Sequence, residues 1–373
     1  MDKRSYTYKG LNYLKQVLYS PTFRYILIGL LMLFLSFSLI GGKKDAIITT
    51  SIYFIAGLGF TLLLGYAGLA SLGTAGFMSM GVYIFGILNE QSILNIPLPF
   101  AMVIILLGSL LLGVIIGFIS LRIEGIFLAI VTLGLSEIVL EIMKNLARMD
   151  SIKGVEFFKL NNSMLWFNVR LPIYADFTKI LIMIIMVITM IVIANIMKSS
   201  SGRAMLSLKN SQSAGQAMGM GLLKYRLFAF VVSTFLATLA GILFMSYYAY
   251  SQPTDWGLTK SLLILAAVVI GGAKSIVGVL LGTFTVFTID SIFLQDITFF
   301  KENSNFISIF TGALIIVIVM FFPGGLYHLG LILKYKTINI YKKLNQKTAL
   351  YKAKRKEKRY GKDEEYRPFE AII

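Results

Sequence analysis

A chain of 373 residues that is 57% hydrophobic and only 14% charged, with a mean hydropathy of +0.79, falls outside the range of soluble globular proteins. The formal net charge of +17 invites a nucleic-acid reading, but Lys and Arg gather in the N-terminal segment (Lys3, Arg4, Lys9, Lys15, Arg24), in Lys198 to Arg226, and in the tail from Lys334 onward, the places where cytoplasmic loops of a membrane protein carry them. The absence of cysteine excludes disulfides, metal–thiolate sites and a thiol nucleophile.

Apolar runs near the ~20 residues needed to cross a ~30 Å hydrocarbon core recur along the whole chain, so the expected fold is all-α, a polytopic membrane bundle of about ten helices. Residues 1–23 read as a cytoplasmic N-terminal segment, 24–330 as the membrane domain containing the loop 198–226, and 331–373 as a basic cytoplasmic tail. The run from Tyr25 to Ile40 is followed by Gly41, Gly42, Lys43 and Lys44 instead of a cleavage site, so it reads as a retained first span. Spans are predicted at 24–40, 46–64, 75–88, 99–120, 126–143, 178–197, 226–247, 261–274, 276–293 and 304–321. An even number of crossings puts both termini and the loop 198–226 on the cytoplasmic side; Lys43 and Lys44 run against that bias.

Gly65 to Phe77 reads GYAGLASLGTAGF. A run this rich in small residues is either a helix-packing seam or a discontinuous helix whose exposed backbone faces a translocation path. On the second reading the path candidates are Gly65, Gly68, Ser71, Gly73, Thr74 and Gly76, joined by Thr132 and Glu137 on the span after a turn carrying Arg122 and Glu124. Glu137, Glu141 and Asp290 are carboxylates within spans; Glu141 lies near Lys144 and reads as half of an interfacial pair, whereas Glu137 is placed to bond a broken helix. The segment 144–179, with Trp166, Phe167, Leu171 and Pro172, is expected to hold a short interfacial helix outside the membrane.

Ile270 to Gly278, IGGAKSIVG, lacks the spacing of a phosphate loop and reads as a tight Gly turn between two spans, with Lys274 at the headgroups. The lone His328 has no partner for metal binding or a catalytic triad, and no other constellation for covalent or acid–base chemistry is present, so catalysis in this chain is not expected. No cofactor is expected either.

The loop Lys198 to Arg226, KSSSGRAMLSLKNSQSAGQAMGMGLLKYR, has no carboxylate. Ser213, Ala214, Ala217 and Met218 fall at i, i+1, i+4 and i+5, which makes a short helix with one small, apolar face. Such a knob fits a groove on a partner, with Arg203 and Lys209 at its rim; the alternative is a basic loop resting on headgroups.

Ser201 to Gly241, together with GYAGLASLGTAGFMSMGVY, LRIEGIFLAIVTLGLSEIV, the Gly271, Gly272, Ser275, Gly278 element and the FFPGGL ending, resembles the permeases of branched-chain amino acid ABC importers across about residues 46–330. The resemblance implies a bacterial inner-membrane subunit with both termini cytoplasmic. It also implies four kinds of company: a second homologous permease, two ATP-binding subunits, an extracytoplasmic substrate-binding protein and membrane lipid, but no nucleic acid. It further implies a coupling helix at Ser211 to Met220, a stretch that includes Met218, with Ala214, Ala217 and Gly219 matching the small positions and Arg203 the basic one preceding it; Lys209 is grouped with this site. Ser211 and Ser213 stand where the family often has an acidic residue. Related permeases carry nucleosides, urea or amides, and an ion-coupled secondary transporter using Glu137 and Asp290 is the competing class.

Overall fold

The computed structural model describes residues 21–39, 41–90, 94–120, 126–147, 150–152, 155–160, 164–166, 169–171 and 176–292, with scattered positions between 312 and 335. The chain divides into two compact units, 1–326 and 327–373, and the elements below belong to the first.

Helix α1 (Pro21–Ser38) ends in Leu35-Ser36-Phe37-Ser38, and α2 (Gly42–Phe60) begins after Gly41, whose φ of +67° is the left-handed conformation that glycine adopts without a Cβ penalty. Without interruption α2 runs into a π-helical segment, Thr61–Tyr66, and the two form one apolar rod of 25 residues, about 37 Å at 1.5 Å per residue. Ile48, Ile52, Phe54, Ile55, Leu58 and Phe60 on it are fully buried. It is buried all round, as a helix surrounded by other helices must be.

Around this rod pack α6 (Asp176–Lys198), α9 (Leu222–Tyr248), α10 (Leu258–Gly271) and α11 (Ile276–Phe287), together with α1. Helix α3 (Thr74–Asn89) lies along α9 so closely that a Cβ on Gly241 would sit 2.0 Å from the Met78 carbonyl oxygen, and one on Gly81 would sit 2.1 Å from that of Thr238. Close backbone approach of this kind is how helices gain dispersion contacts where lipid removes the hydrophobic drive. Helices α4 (Leu98–Ser120) and α5 (Ile126–Ala147) flank α3 and present Phe100, Leu107, Leu111, Phe127, Ile130 and Ile138 outward, an apolar surface suited to lipid. Each of the first nine predicted spans coincides for most of its length with a helix, and the fold is an all-α polytopic bundle; the tenth, at 304–321, falls largely outside the described residues. At 14 residues, α10 extends about 21 Å, short of the ~30 Å core.

The segment 144–179 corrects an expectation. In place of an interfacial helix it forms two antiparallel hairpins, β1 (Asp150–Ile152) with β2 (Val155–Lys159), and β3 (Met164–Trp166) with β4 (Val169–Leu171). β2 also pairs with β5 (Tyr250–Ser251), just beyond α9, giving the order β1-β2-β5. The physical reason is local: Ile152, Val155, Phe157 and Phe158 in the first hairpin and Trp166 and Val169 in the second are strand-favouring residues whose backbones pair in ladders, and Phe158 seats edge-on against Tyr83, ring centroids 6.3 Å apart, under Gly86. Asn89 stitches the second hairpin to α3, donating to Leu165 O at 3.1 Å and accepting from the Leu165 amide at 2.8 Å.

Because α6 leaves the hairpins and α9 returns to them, the connection between α6 and α9 lies at the opposite end of the bundle. It holds α7 (Ser200–Asn210) and α8 (Gln212–Ala217).

Candidate functional site

At the end bearing α7 and α8, the rod α2–π stops and the chain re-enters the bundle through residues 67–73 before α3 begins. Irregular backbone at membrane depth must have its amides and carbonyls satisfied by protein. The chain turns on itself through Ala67 N–H to Leu62 O and Leu69 N–H to Leu63 O, both 2.9 Å. The Leu72 amide donates to Thr132 Oγ1 on α5 at 3.0 Å, the Gly73 amide to Ser71 Oγ at 3.3 Å, and the Ala75 amide to Ser261 Oγ on α10 at 3.0 Å. Two hydroxyls from separate helices therefore cap the restart of α3, a task that N-cap side chains ordinarily perform from the adjacent residue.

The carbonyls of Leu64 and Gly65 receive the Lys209 ammonium, at 2.7 and 3.0 Å, from the C-terminal turn of α7. Gly68, at φ +72°, lies beneath the lysine stem; a Cβ there would stand 3.0 Å from Lys209 Cγ. A Cβ on Gly65 would stand 2.0 Å from the Ala273 carbonyl oxygen, so the end of the π segment rests directly on the turn between α10 and α11. That turn is the Gly element read from the sequence, with Gly272 at φ +101° and Ser275 capping α11 through the Gly278 amide at 3.2 Å. Burial pushes the Lys209 ammonium pKa down, and the positive charge of Lys274 nearby pushes it the same way.

The path candidates thus separate. Gly65 and Gly68 meet the turn and Lys209. Gly73 and Gly76 form a packing seam with α5, where a Cβ would press on Thr132 O at 2.9 Å or Ser136 Oγ at 2.4 Å. Ser71 and Thr74 line a cavity of about 10 Å³ with Phe77, Phe230, Ser233 and Thr234, enough for about one water and for no larger solute. Glu137 is exposed on α5 and makes no hydrogen bond to the broken segment among the described residues; Thr132 and Ser261 do that work instead. Glu141 pairs with Lys144 at 3.0 Å. Arg122, Glu124 and the side chain of Asp290 lie outside the described residues. Ser136, Ser233 and Thr234 lie inside the runs that carry the family resemblance and Ser261 outside them; none is singled out there, and the signal each offers is a hydroxyl inside an apolar span.

In the loop, α7 is capped by Ser199, which accepts from the Gly202 amide at 3.3 Å, and buries Gly202, Ala204, Met205 and Leu208 on one face. Arg203 points the other way, donating to the Lys198 carbonyl at 2.7 Å, where a cation meets the C-terminal end of α6. Ser211 caps α8, accepting from the Ala214 amide at 3.3 Å, and Gly219 at φ +78° closes it, with the Met220 amide bonded to Gly215 O at 3.1 Å. The helical part is therefore Gln212–Ala217, narrower than the predicted Ser211 to Met220. Gly215 is buried against Leu208, pinning α8 to α7, while Ala214, Ala217, Met218 and Gly219 are exposed, Met218 to 78%. Lys209, expected at the rim of this face, stays exposed but reaches across to the end of the rod, where its ammonium bonds Leu64 O and Gly65 O.

At the other end, Tyr247 donates to Asp45 at 2.7 Å, Trp256 donates to Ser251 Oγ at 2.7 Å, and Lys260 lies 5.3 Å from the Tyr53 ring centroid. These contacts tie α2, α9 and α10 together beside the hairpins.

The family described as "Branched-chain amino acid transport system / permease component" matches residues 44–319, from the first turn of α2 past α11. The chain belongs to that family. Among its relatives, the permease is 29% identical over 307 residues to the "High-affinity branched-chain amino acid transport system permease protein LivM" of Salmonella typhimurium, covering 76% of this chain and 70% of the relative. The Escherichia coli K12 protein of the same name gives the same identity and coverage. A shorter likeness, 30% identity over 125 residues, covering 32% of this chain and 37% of the relative, is to the "Ribose import permease protein RbsC" of Haemophilus influenzae. No solved structure matches the permease. The family and the apolar helices together make it a multi-pass membrane protein whose relatives are permease components rather than enzymes.

Proposed function

We propose that this permease is the membrane-spanning subunit of an ATP-binding cassette importer that moves branched-chain or other hydrophobic amino acids, and that α8 is the element through which partner ATPases drive it. The observation that carries the proposal is the state of α8: capped at both ends, pinned through Gly215 to α7, yet presenting a small-residue face with a protruding Met218 to solvent. A short, rigid, small-faced helix beside spanning helices suits insertion into a partner's groove. The basic, carboxylate-free composition of residues 198–226 favours a cytoplasmic position for it, with both termini on the same side.

On this reading two ATP-binding subunits supply the energy, a second homologous permease completes the membrane domain, and an extracytoplasmic binding protein delivers the solute. Movement of the docked α7–α8 pair tilts α6 and α9, to which it is joined, between outward-open and inward-open arrangements. The small cavity beside Ser71 and Thr74 is then a closed state of the path. The names of two relatives support branched-chain amino acids as the solute. Glu137, exposed on this chain rather than set against the broken segment, lends the ion-coupled reading less support than its place in a span suggested.

The test is copurification. Ala217→Arg places a long cation on the exposed face of α8; it is expected to insert normally and to lose the ATP-binding subunits, while Leu258→Arg, at the hairpin end, retains them. Retention of the ATP-binding subunits by Ala217→Arg at wild-type levels refutes the docking role.

A further inference from the structure

We propose that Lys209 is a positioning residue for translocation: it ties α7 to the π-helical end of α2, so that displacement of the loop helices is delivered directly to the break in the rod. The proposal rests on the importer reading for the source of the displacement, and on the geometry for its route. Three elements meet at this point. The Lys209 ammonium bonds Leu64 O and Gly65 O at 2.7 and 3.0 Å, and Gly65 abuts Ala273 O with no room for a Cβ. The turn carrying Ala273 joins α10 to α11.

Each link is stiff in the direction that matters. Helix α7 buries Met205 and Leu208, which fixes the backbone from which the exposed Lys209 side chain extends. The ammonium grips two carbonyls, and bonds from a charged donor are stronger than neutral ones. Its stem is held against Gly68, whose left-handed backbone leaves a trough for it. The π segment, by contrast, departs from the α ladder that continues on its N-terminal side: its i→i+5 turns hold one residue more than α turns, and such short interruptions recur at functional sites. A pull on Leu64 and Gly65 therefore changes the winding of residues 61–66 and, through Gly65, moves the α10–α11 turn. The lysine acts inside its own chain and does not need to touch an ATPase, which separates this role from charge display at a docking rim.

The experiment compares Lys209→Met, which keeps the stem and removes the donor, with Lys209→Arg, which keeps donors and charge. In the purified full-length chain, amide hydrogen exchange over residues 61–69 reads whether the tether holds the break. In proteoliposomes containing the complete importer, with radiolabelled L-leucine as probe, solute moved per ATP hydrolysed reads whether it transmits movement. Lys209→Met is expected to speed exchange at Ala67 and Leu69 and to lower the transport ratio about tenfold, the scale of losing bonds to a charged group. Lys209→Arg is expected to restore both within about threefold. Unchanged exchange in Lys209→Met overturns the tether, and faster exchange with an unchanged transport ratio overturns the positioning role. If the wild-type complex neither assembles with the ATP-binding subunits nor moves leucine, the importer reading has failed, and the exchange measurement still decides the tether by itself.

Discussion

Replacing Gly65 with alanine adds one methyl group at the most crowded point of the broken segment. Its Cβ would lie 2.0 Å from the Ala273 carbonyl oxygen, whereas carbon and carbonyl oxygen rest no closer than about 3.3 Å. The two backbones must separate by about 1.3 Å, because neither partner is the end of a flexible side chain. Overpacking of this kind costs about 1–3 kcal/mol, offset by up to about 1 kcal/mol from alanine's higher helix propensity, for a net loss of about 1–2 kcal/mol. Gly108 on α4 is the internal control, since a Cβ there meets nothing within 4 Å, and Gly108→Ala is expected to gain about 0.5–1 kcal/mol. Unfolding of the full chain in mixed micelles, titrated with SDS, reads the two variants on one scale, and about 2 kcal/mol should separate them. Equal stability of Gly65→Ala and Gly108→Ala would falsify the claim that the π segment rests on the α10–α11 turn.

The remaining predictions concern caps and docking. Ser211→Ala removes the side chain that accepts from the Ala214 amide, and at about 1 kcal/mol for a six-residue helix the affinity for ATP-binding subunits should fall about fivefold; Ser211→Asp, an equally good cap, should leave it within twofold, as measured by surface plasmon resonance of the complex. Thr132→Val and Ser261→Ala each strip one amide at the restart of α3 of its acceptor, and each should lower unfolding free energy by about 0.6–1.7 kcal/mol in the same SDS titration. No loss in either variant contradicts the assignment of those hydroxyls as caps of α3.

How far the sequence went depended on whether a feature was local. The caps at Ser199, Ser211 and Ser275, each bonding the amide three residues on, emerge only in the structure, whereas apolar runs of twenty residues announce themselves. The Gly272 turn and the small-residue run were visible for the same reason. The hairpins were missed because strands of three to five residues carry little periodicity, and the third strand, Tyr250–Ser251, lies far along the chain. Lys209 was assigned to a docking rim because charge in a loop is ordinarily solvated; only tertiary structure shows two main-chain carbonyls waiting for it 144 and 145 residues away. Glu137 attracted attention as a carboxylate in a span, but helical phase alone did not tell the face toward α3, where Thr132 and Ser136 lie, from the outer one.

ATP-dependent uptake by proteoliposomes tests the account most directly. With the permease pair and ATP-binding subunits in the membrane, binding protein and radiolabelled L-leucine on one side, ATP on the other, and no ion gradient, leucine is expected to accumulate only when ATP is present, and Ala217→Arg to abolish accumulation. Accumulation that follows an imposed ion gradient and ignores ATP would contradict the account.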